Sequence, residues 1–323
     1  MQKRALITGI SGQDGSYLAE FLLSKGYEVH GLVRRESLEV SGGREDNLSS
    51  VRNRVILHQG SIVDHLSLYR CIKDVQPDEC YHLAAASFVH YGFEEEFQVM
   101  NSNFSATHYL LASILELRPQ CRFFYAGSSE MFGKPDFAPQ NETSGFSPRS
   151  IYGISKVASH HLLQNYRSRE GLFACTGFLY NHESPRRARH FVTRKITRGV
   201  ARIAKGLDKT LKLGNLDAVR DWGYAPDFIQ GMWMMLQANE PRDYILATGK
   251  THSVKDFLEI AFSTLELDWK QFVETDPKFF RESDPIPLIG DPSRVYQELG
   301  WKAQKPLTEI IREMVLADFQ TVL

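Results

Sequence analysis

Cysteine is scarce and unpatterned: Cys71, Cys80, Cys121 and Cys175 form no Cys-x-x-Cys pair and stand in no zinc-type spacing with histidine. This argues against a disulfide-stapled scaffold and a metal site, and leaves reduced, buried thiols as the expectation. Long apolar runs are missing as well, none approaching the roughly 18 residues of a membrane span. The apolar run after Lys3-Arg4 is too short and glycine-rich for a signal-peptide core, so the reading is a soluble, cytoplasmic protein. Excess charge is absent: 38 Lys+Arg against 39 Asp+Glu give a net charge of −1. With no basic groove interleaved with aromatics, neither a nucleic acid nor a membrane surface is an expected partner. Internal repeats and low-complexity tracts are absent too. What remains is ordinary globular material, 42% hydrophobic and 24% charged, in 323 residues. At roughly 150 residues per domain that is enough for about two domains.

Through the first half, short apolar or aromatic runs alternate with helical patterns. Ala5–Thr8, Glu28–Val33, Val55–His58, Glu79–Leu83, Arg122–Ala126 and Phe173–Leu179 read as strands, mostly apolar rather than alternating, as strands covered on both faces are. Tyr17, Leu18, Phe21 and Leu22 mark a helix closed by Gly26; Tyr109, Leu110, Ser113, Ile114 and Leu117 mark another stopped at Pro119. This repetition predicts an α/β fold, a Rossmann-type doubly wound parallel sheet over residues 1–180. Residues 181–323 turn Arg-rich and helical, which predicts a smaller, mostly helical substrate lobe, with segments around 215–250 returning to the first domain. Tyr244–Ala247 is strand-like, the prolines of Asp276–Pro292 predict a loop over the sheet, and Ser41–Ser50 reads as a mobile loop after the second strand.

Gly9, Gly12 and Gly15 follow the first strand and open the first helix, where backbone must approach a pyrophosphate at a helix N-terminus. Gly9, Ser11, Gly12, Gln13, Asp14 and Gly15 are therefore the expected cradle of a dinucleotide. Their G-x-x-G-x-x-G spacing resembles the extended short-chain dehydrogenase/reductase family. At the tip of the second strand an NAD site usually carries Asp or Glu, whereas this chain has Arg34 and Arg35, which favour the 2′-phosphate of NADP.

Tyr152 and Lys156 lie four residues apart, on one face of a helix. A lysine ammonium beside a tyrosine lowers the phenol pKa, so that it exchanges a proton with a substrate hydroxyl near neutral pH. Ser128, past the end of the fifth strand, is placed to hydrogen-bond the same oxygen, which completes a set for hydride chemistry at a secondary alcohol. Glu130 exceeds what plain oxidoreduction needs: a carboxylate there can remove a carbon-bound proton once the adjacent carbon is a ketone. A nucleotide-sugar epimerase would keep the glycine loop and the Tyr/Lys pair without Glu130. A catalytically silent NADP-binding protein would be expected to lose some of Ser128, Glu130, Tyr152 and Lys156, and all four are present.

Ile7–Ser16, Ser128–Gly133, Pro148–Lys156, Asn181–Arg187, Phe191–Thr197, Leu213–Leu216, Arg220–Gly223, Ala247–Val254 and Gly290-Asp291-Pro292 together resemble the GDP-mannose 4,6-dehydratase family across essentially the whole chain. The resemblance implies an NADP-dependent hydro-lyase that converts GDP-D-mannose to GDP-4-keto-6-deoxy-D-mannose. It implies that Ser128, Glu130, Tyr152 and Lys156 are catalytic, and that Leu83, Ala84, Ala85, Ser87, His182 and Arg187 join the glycine loop, Tyr152 and Lys156 around the cofactor. Around the GDP-sugar it implies Ser87, Ser128, Glu130, Asn181, Val192, Lys195, Leu213, Gly214, Arg220, Arg281 and Asp284. A homodimer or homotetramer is implied too, with Ser41–Ser50 reaching a neighbour's cofactor. The chain departs from the family pattern at Ser128 (usually Thr), Ala86 (Gln), Ser61 (Asp) and Asp284 (Glu). These changes keep the reaction type and bear on cofactor affinity and on which sugar fits, a larger GDP-mannoheptose included.

Overall fold

The computed structural model describes residues 2–34, 47–86, 93–279 and 286–322; Arg35, residues 41–46 of the Gly/Ser-rich stretch, Ser87, Arg281 and Asp284 lie outside the described residues. Six strands, β1 (Arg4–Thr8), β2 (Glu28–Val33), β3 (Ile56–Gln59), β4 (Glu79–His82), β5 (Arg122–Ala126) and β6 (Ala174–Leu179), run parallel in the order β3-β2-β1-β4-β5-β6. Residue alternation sends Ala5 and Ile7 to one face and Leu6 to the other, and both faces are covered, which is why these strands read as mostly apolar runs.

One face carries α1 (Gln13–Ser24). On the other lie α2 (His65–Val75), α4 (Ala106–Leu117) and α5 (Ile151–Glu170). Between them in sequence, α3 (Phe93–Met100) runs into α4 through a single wide π-helical turn at Asn101–Ser105.

Beyond β6 the chain forms β7 (Asn181–Glu183), α6 (Val192–Ala204), β8 (Leu211–Leu213), β9 (Val219–Arg220) and β10 (Trp222–Tyr224). The next helix, α7 (Ala225–Gln237), starts with proline in its first turn. It lays Phe228, Met232, Met235 and Leu236 in the same apolar cluster as Leu18 and Leu22 of α1. The following strand, β11 (Tyr244–Leu246), pairs with β6 and completes the sheet as its seventh member.

A separate apolar cluster joins α6 to α8 (Val254–Ser263) and α10 (Leu307–Thr321); α9 (Ser293–Leu299) precedes α10. Short strands β12 (His252–Ser253) and β13 (Val273–Thr275) pair with β9 and β8. At the centre of the α6–α10 contact, fully buried Asp318 accepts from Arg194 Nε (2.9 Å) and Nη2 (2.7 Å) and from Thr197 Oγ1 (2.7 Å). Arg194 thus belongs to the structure of α6 rather than to a solvated basic face. Asp318→Ala leaves that guanidinium enclosed without its partner, and unfolding in urea is expected to show a loss of about 3–5 kcal/mol.

All four cysteines are free and buried. No helix among the described residues is long and apolar enough to cross a membrane.

Candidate active site

The carboxyl ends of β1, β2, β4, β5 and β6 open on one crevice, at the point where the strand order reverses between β1 and β4. After β1, Gly9 adopts φ +77°, and a Cβ there would lie 2.9 Å from Ala84 N; at Gly15 a Cβ would lie 2.2 Å from Gly9 O. Only glycine allows this loop to fold onto both α1 and the β4 loop. Gly12 N donates to Gly9 O (2.9 Å), and Gly12 is the N-cap of α1 with no side-chain cap. The first-turn N–H groups of α1 therefore lack a capping side chain, the arrangement an anionic group completes. Asn47 braces the loop by donating to Ser11 O (3.0 Å).

Gln13 and Asp14 turn their side chains toward β7. Gln13 Nε2 donates to His182 O (3.1 Å) and its Oε1 accepts from Ser184 Oγ (2.9 Å), while Asp14 Oδ2 lies 2.9 Å from His182 Nε2. The other imidazole nitrogen, Nδ1, is 2.7 Å from the Tyr180 carbonyl, which only accepts, and the ring stacks on Phe228 with centroids 4.6 Å apart. Burial alone would push His182 down and Asp14 up, yet their mutual attraction and hydrogen bond leave His182 raised and Asp14 lowered, an imidazolium–carboxylate pair. Arg187, the other charge acting on both, rests its guanidinium 3.7 Å from the Phe191 ring centroid.

The signs define a window. A raised histidine contributes stability below its ordinary 6.5 that is lost as pH climbs through the raised value; a lowered aspartate contributes above its ordinary 3.8 that is lost as pH falls through the lowered value. His182→Gln is therefore expected to lower the urea midpoint more at about pH 5 than at about pH 9. An equal loss at both would show that no ion pair is present.

Beyond β4, Leu83, Ala84 and Ala85 are half-buried, with Leu83 N donating to Thr8 O and Ala84 N to Thr8 Oγ1 (3.2 Å). Thr8 Oγ1 also lies 2.8 Å from Nδ1 of His82, which burial, with nearby Lys156 adding to it, pushes down to about 3. The β4 loop ends on Asn103, in the π-helical turn: Ala86 N donates to its Oδ1 (2.9 Å), and its Nδ2 donates to Ser155 Oγ (3.0 Å) on α5. Arg34, at the tip of β2, is exposed.

After β5, half-buried Ser128 accepts from Glu130 N (3.2 Å). In the first turn of α5 a Cβ at Gly153 would come within 2.7 Å of Glu130 O, so the lack of a side chain beside Tyr152 lets this helix pack on the Ser128–Glu130 turn. Tyr152 is only 9% exposed. Lys156 Nζ lies 5.7 Å from the centre of the Tyr152 ring and 4.8 Å from that of Tyr125, and it donates to Ala126 O (2.6 Å). Burial pushes the Lys156 amine down to about 7.

Beyond β6, β7 pairs with β10, setting Asn181 opposite Trp222 and His182 opposite Gly223. Val192 is exposed at the start of α6. Lys195 Nζ sits 3.7 Å from the Phe279 ring centroid, and burial lowers its pKa. Leu213 is buried at the end of β8, with Gly214 beside it. Arg220 Nη1 donates to Val219 O (2.7 Å). Among the described residues neither Lys195 nor Arg220 has a carboxylate within ion-pairing distance, in contrast to Arg186, Arg187, Arg194, Arg198 and Arg202.

Asn47, Asn103 and Gly153 were not singled out in the sequence. For Gly153 the available signal was a glycine within the first turn of a helix.

A doubly wound parallel sheet with an uncapped glycine turn after β1, and with Ser, Tyr and Lys at the end of β5 and the start of the following helix, is the architecture of the short-chain dehydrogenase/reductases. Residues 6–314 fit the family model described as GDP-mannose 4,6 dehydratase, and the chain belongs to that family. It is 45% identical to GDP-mannose 4,6 dehydratase 2 of Arabidopsis thaliana over 99% of this chain and 87% of the relative. In fold it is similar to RMD of Pseudomonas aeruginosa, solved with NADPH (TM-score 0.84, 21% identity, 99% and 100% of the two chains covered). It is likewise similar to a dTDP-glucose 4,6-dehydratase of Streptomyces venezuelae, solved with NAD (TM-score 0.84, 24% identity, 98% and 97% covered).

Proposed function

We propose that this chain is a hydro-lyase that converts GDP-D-mannose to GDP-4-keto-6-deoxy-D-mannose. The observation that supports the reading most is the packing of the Ser128–Glu130 turn against the first turn of α5, where the Glu130 backbone lies against the helix that carries Tyr152 and Lys156. Membership of the family supplies the substrate class.

A nicotinamide cofactor fits the residues present: the uncapped first turn of α1 and the glycines at 9 and 15 leave backbone N–H groups and room for a pyrophosphate. When bound, the nicotinamide supplies a hydride acceptor for C4 of the hexose and a donor for C6. Arg34 and Arg35 favour NADP over NAD, and the measurement is the ratio of the two affinities in Arg34→Ala against the parent, expected to move toward NAD.

Tyr152 takes the proton of the 4-hydroxyl, with Ser128 hydrogen-bonding the same oxygen and Lys156 steadying the phenolate. The resulting 4-ketone acidifies C5. Glu130 removes that C5 proton and delivers a proton to the departing C6 hydroxyl, so water leaves across C5 and C6. A proton then returns to C5 as C6 is reduced, and no net oxidant is consumed. Lys195 and Arg220, cations without carboxylate partners among the described residues, meet the diphosphate. The protein works as a homodimer or homotetramer; a monomeric mass by light scattering with cofactor present would exclude this.

The reaction is tested by incubating the protein and NADP+ separately with GDP-mannose, GDP-mannoheptose and UDP-glucose and following loss of water by mass spectrometry. Dehydration of GDP-mannose is expected. Dehydration of another sugar alone would keep the mechanism and reassign the pocket, and none at all would overturn the reading.

A further inference from the structure

Asp221 sits at the corner between β9 and β10 and is completely buried. A buried carboxylate normally demands a cation, yet among the described residues none lies within ion-pairing distance of Asp221. Its oxygens are filled by neutral donors instead. Oδ1 accepts from Thr248 N (3.0 Å) and Thr248 Oγ1 (2.6 Å), Oδ2 accepts from Gly249 N (3.0 Å), and Gly290 N donates as well. Gly249 adopts φ +72°, a conformation that glycine enters freely, and two successive N–H groups converge on one carboxylate.

Two strands leave this corner in different directions. Trp222–Tyr224 pairs with β7, opposite Asn181 and His182, whereas Val219–Arg220 pairs with β12, with Arg220 opposite His252. The third donor segment is itself locked. A Cβ on Gly290 would lie 2.4 Å from Ala247 Cβ, and its neighbours Ile289 and Asp291 are hydrogen-bonded to the backbone of buried Gln140. The corner therefore has little freedom to pivot.

We propose that Asp221 is a positioning residue for substrate recognition, fixing the angle between the strand that carries Arg220 and the strand paired with Asn181, so that the Arg220 guanidinium is presented to the diphosphate of the nucleotide sugar. This rests on Arg220 meeting the diphosphate. Asp221 itself touches no substrate; its action runs through the hydrogen bonds to Thr248, Gly249 and Gly290.

The test uses the full chain with NADP, and GDP as the calorimetric probe. Asp221→Asn turns one acceptor into an NH2 group among N–H donors, and Thr248→Val removes one donor with little change of shape. GDP affinity is expected to fall roughly tenfold in Asp221→Asn, equivalent to ~1.4 kcal/mol, and roughly threefold in Thr248→Val. KM for GDP-mannose should rise in parallel, with a smaller fall in kcat and unchanged NADP affinity, a split that general loosening of the fold would not produce. In an Arg220→Ala background, Asp221→Asn should cost nothing further. Unchanged GDP affinity in both single variants, or a full additional loss on top of Arg220→Ala, overturns the proposal. Arg220→Ala with parental GDP affinity is a separate failure, of the diphosphate reading on which the proposal rests. If Asp221→Asn does not fold, Thr248→Val decides alone by the same GDP measurement and its additivity with Arg220→Ala.

Discussion

Tyr152→Phe is expected to lower kcat by roughly 10²–10⁴-fold, with no build-up of reduced-cofactor absorbance when GDP-mannose is added. The substitution removes one oxygen from a ring that is already enclosed, held on α5 whose Ser155 hydroxyl donates to the Tyr152 carbonyl at 2.7 Å. The backbone and the lysine beside it have no reason to move, since Lys156 is anchored on Ala126 O. What disappears is the acceptor for the 4-hydroxyl proton, so the cycle stops before any oxidation of the sugar. If the variant accumulated reduced cofactor, the proton relay assigned to Tyr152 would be wrong.

Glu130→Gln should stop the cycle one step later. Binding of cofactor persists, because the side chain is changed without altering the Glu130 N–H to Ser128 hydrogen bond that shapes the turn. Oxidation at C4 proceeds, reduced cofactor builds up, and loss of water falls by roughly 10²–10⁴-fold because the amide cannot take the C5 proton. Incorporation of solvent deuterium at C5 reads the same step directly and should vanish. Turnover equal to the parent would remove Glu130 from the chemistry. The two variants together are diagnostic: one stalls with oxidised cofactor, the other with reduced.

The parallel sheet was legible because strands buried on both faces are mostly apolar rather than alternating. Ala5–Thr8 and Arg122–Ala126 announce themselves without knowledge of their neighbours. Tyr244–Leu246 shows the limit of this. Its strand character is local, but its place at the sheet edge comes from pairing with β6, far upstream in sequence. The glycine turn was readable because steric demand at Gly9 and Gly15 permits no other residue. The directions taken by Gln13 and Asp14 were not, since they depend on His182 and Ser184, which meet α1 only after the whole sheet has formed. The same holds for Asn103: nothing near it in sequence foretells that Ala86 and Ser155 converge there. Arg194 looked like one cation among several on a basic helix until the buried Asp318 of α10 supplied its partner.

The four enclosed thiols give the protein a built-in clock. Cys80, Cys121 and Cys175 have no exposed surface, Cys71 has 5%, and burial raises the pKa of each, Cys71 to about 12. A thiol-reactive dye must therefore wait for the chain to open before it finds a nucleophile. Cys71 and Cys121 lie in the cluster on the α2, α4 and α5 face of the sheet and Cys175, within β6, in the cluster on the α1 face, so the order in which they label reports which part of the sheet lets go first.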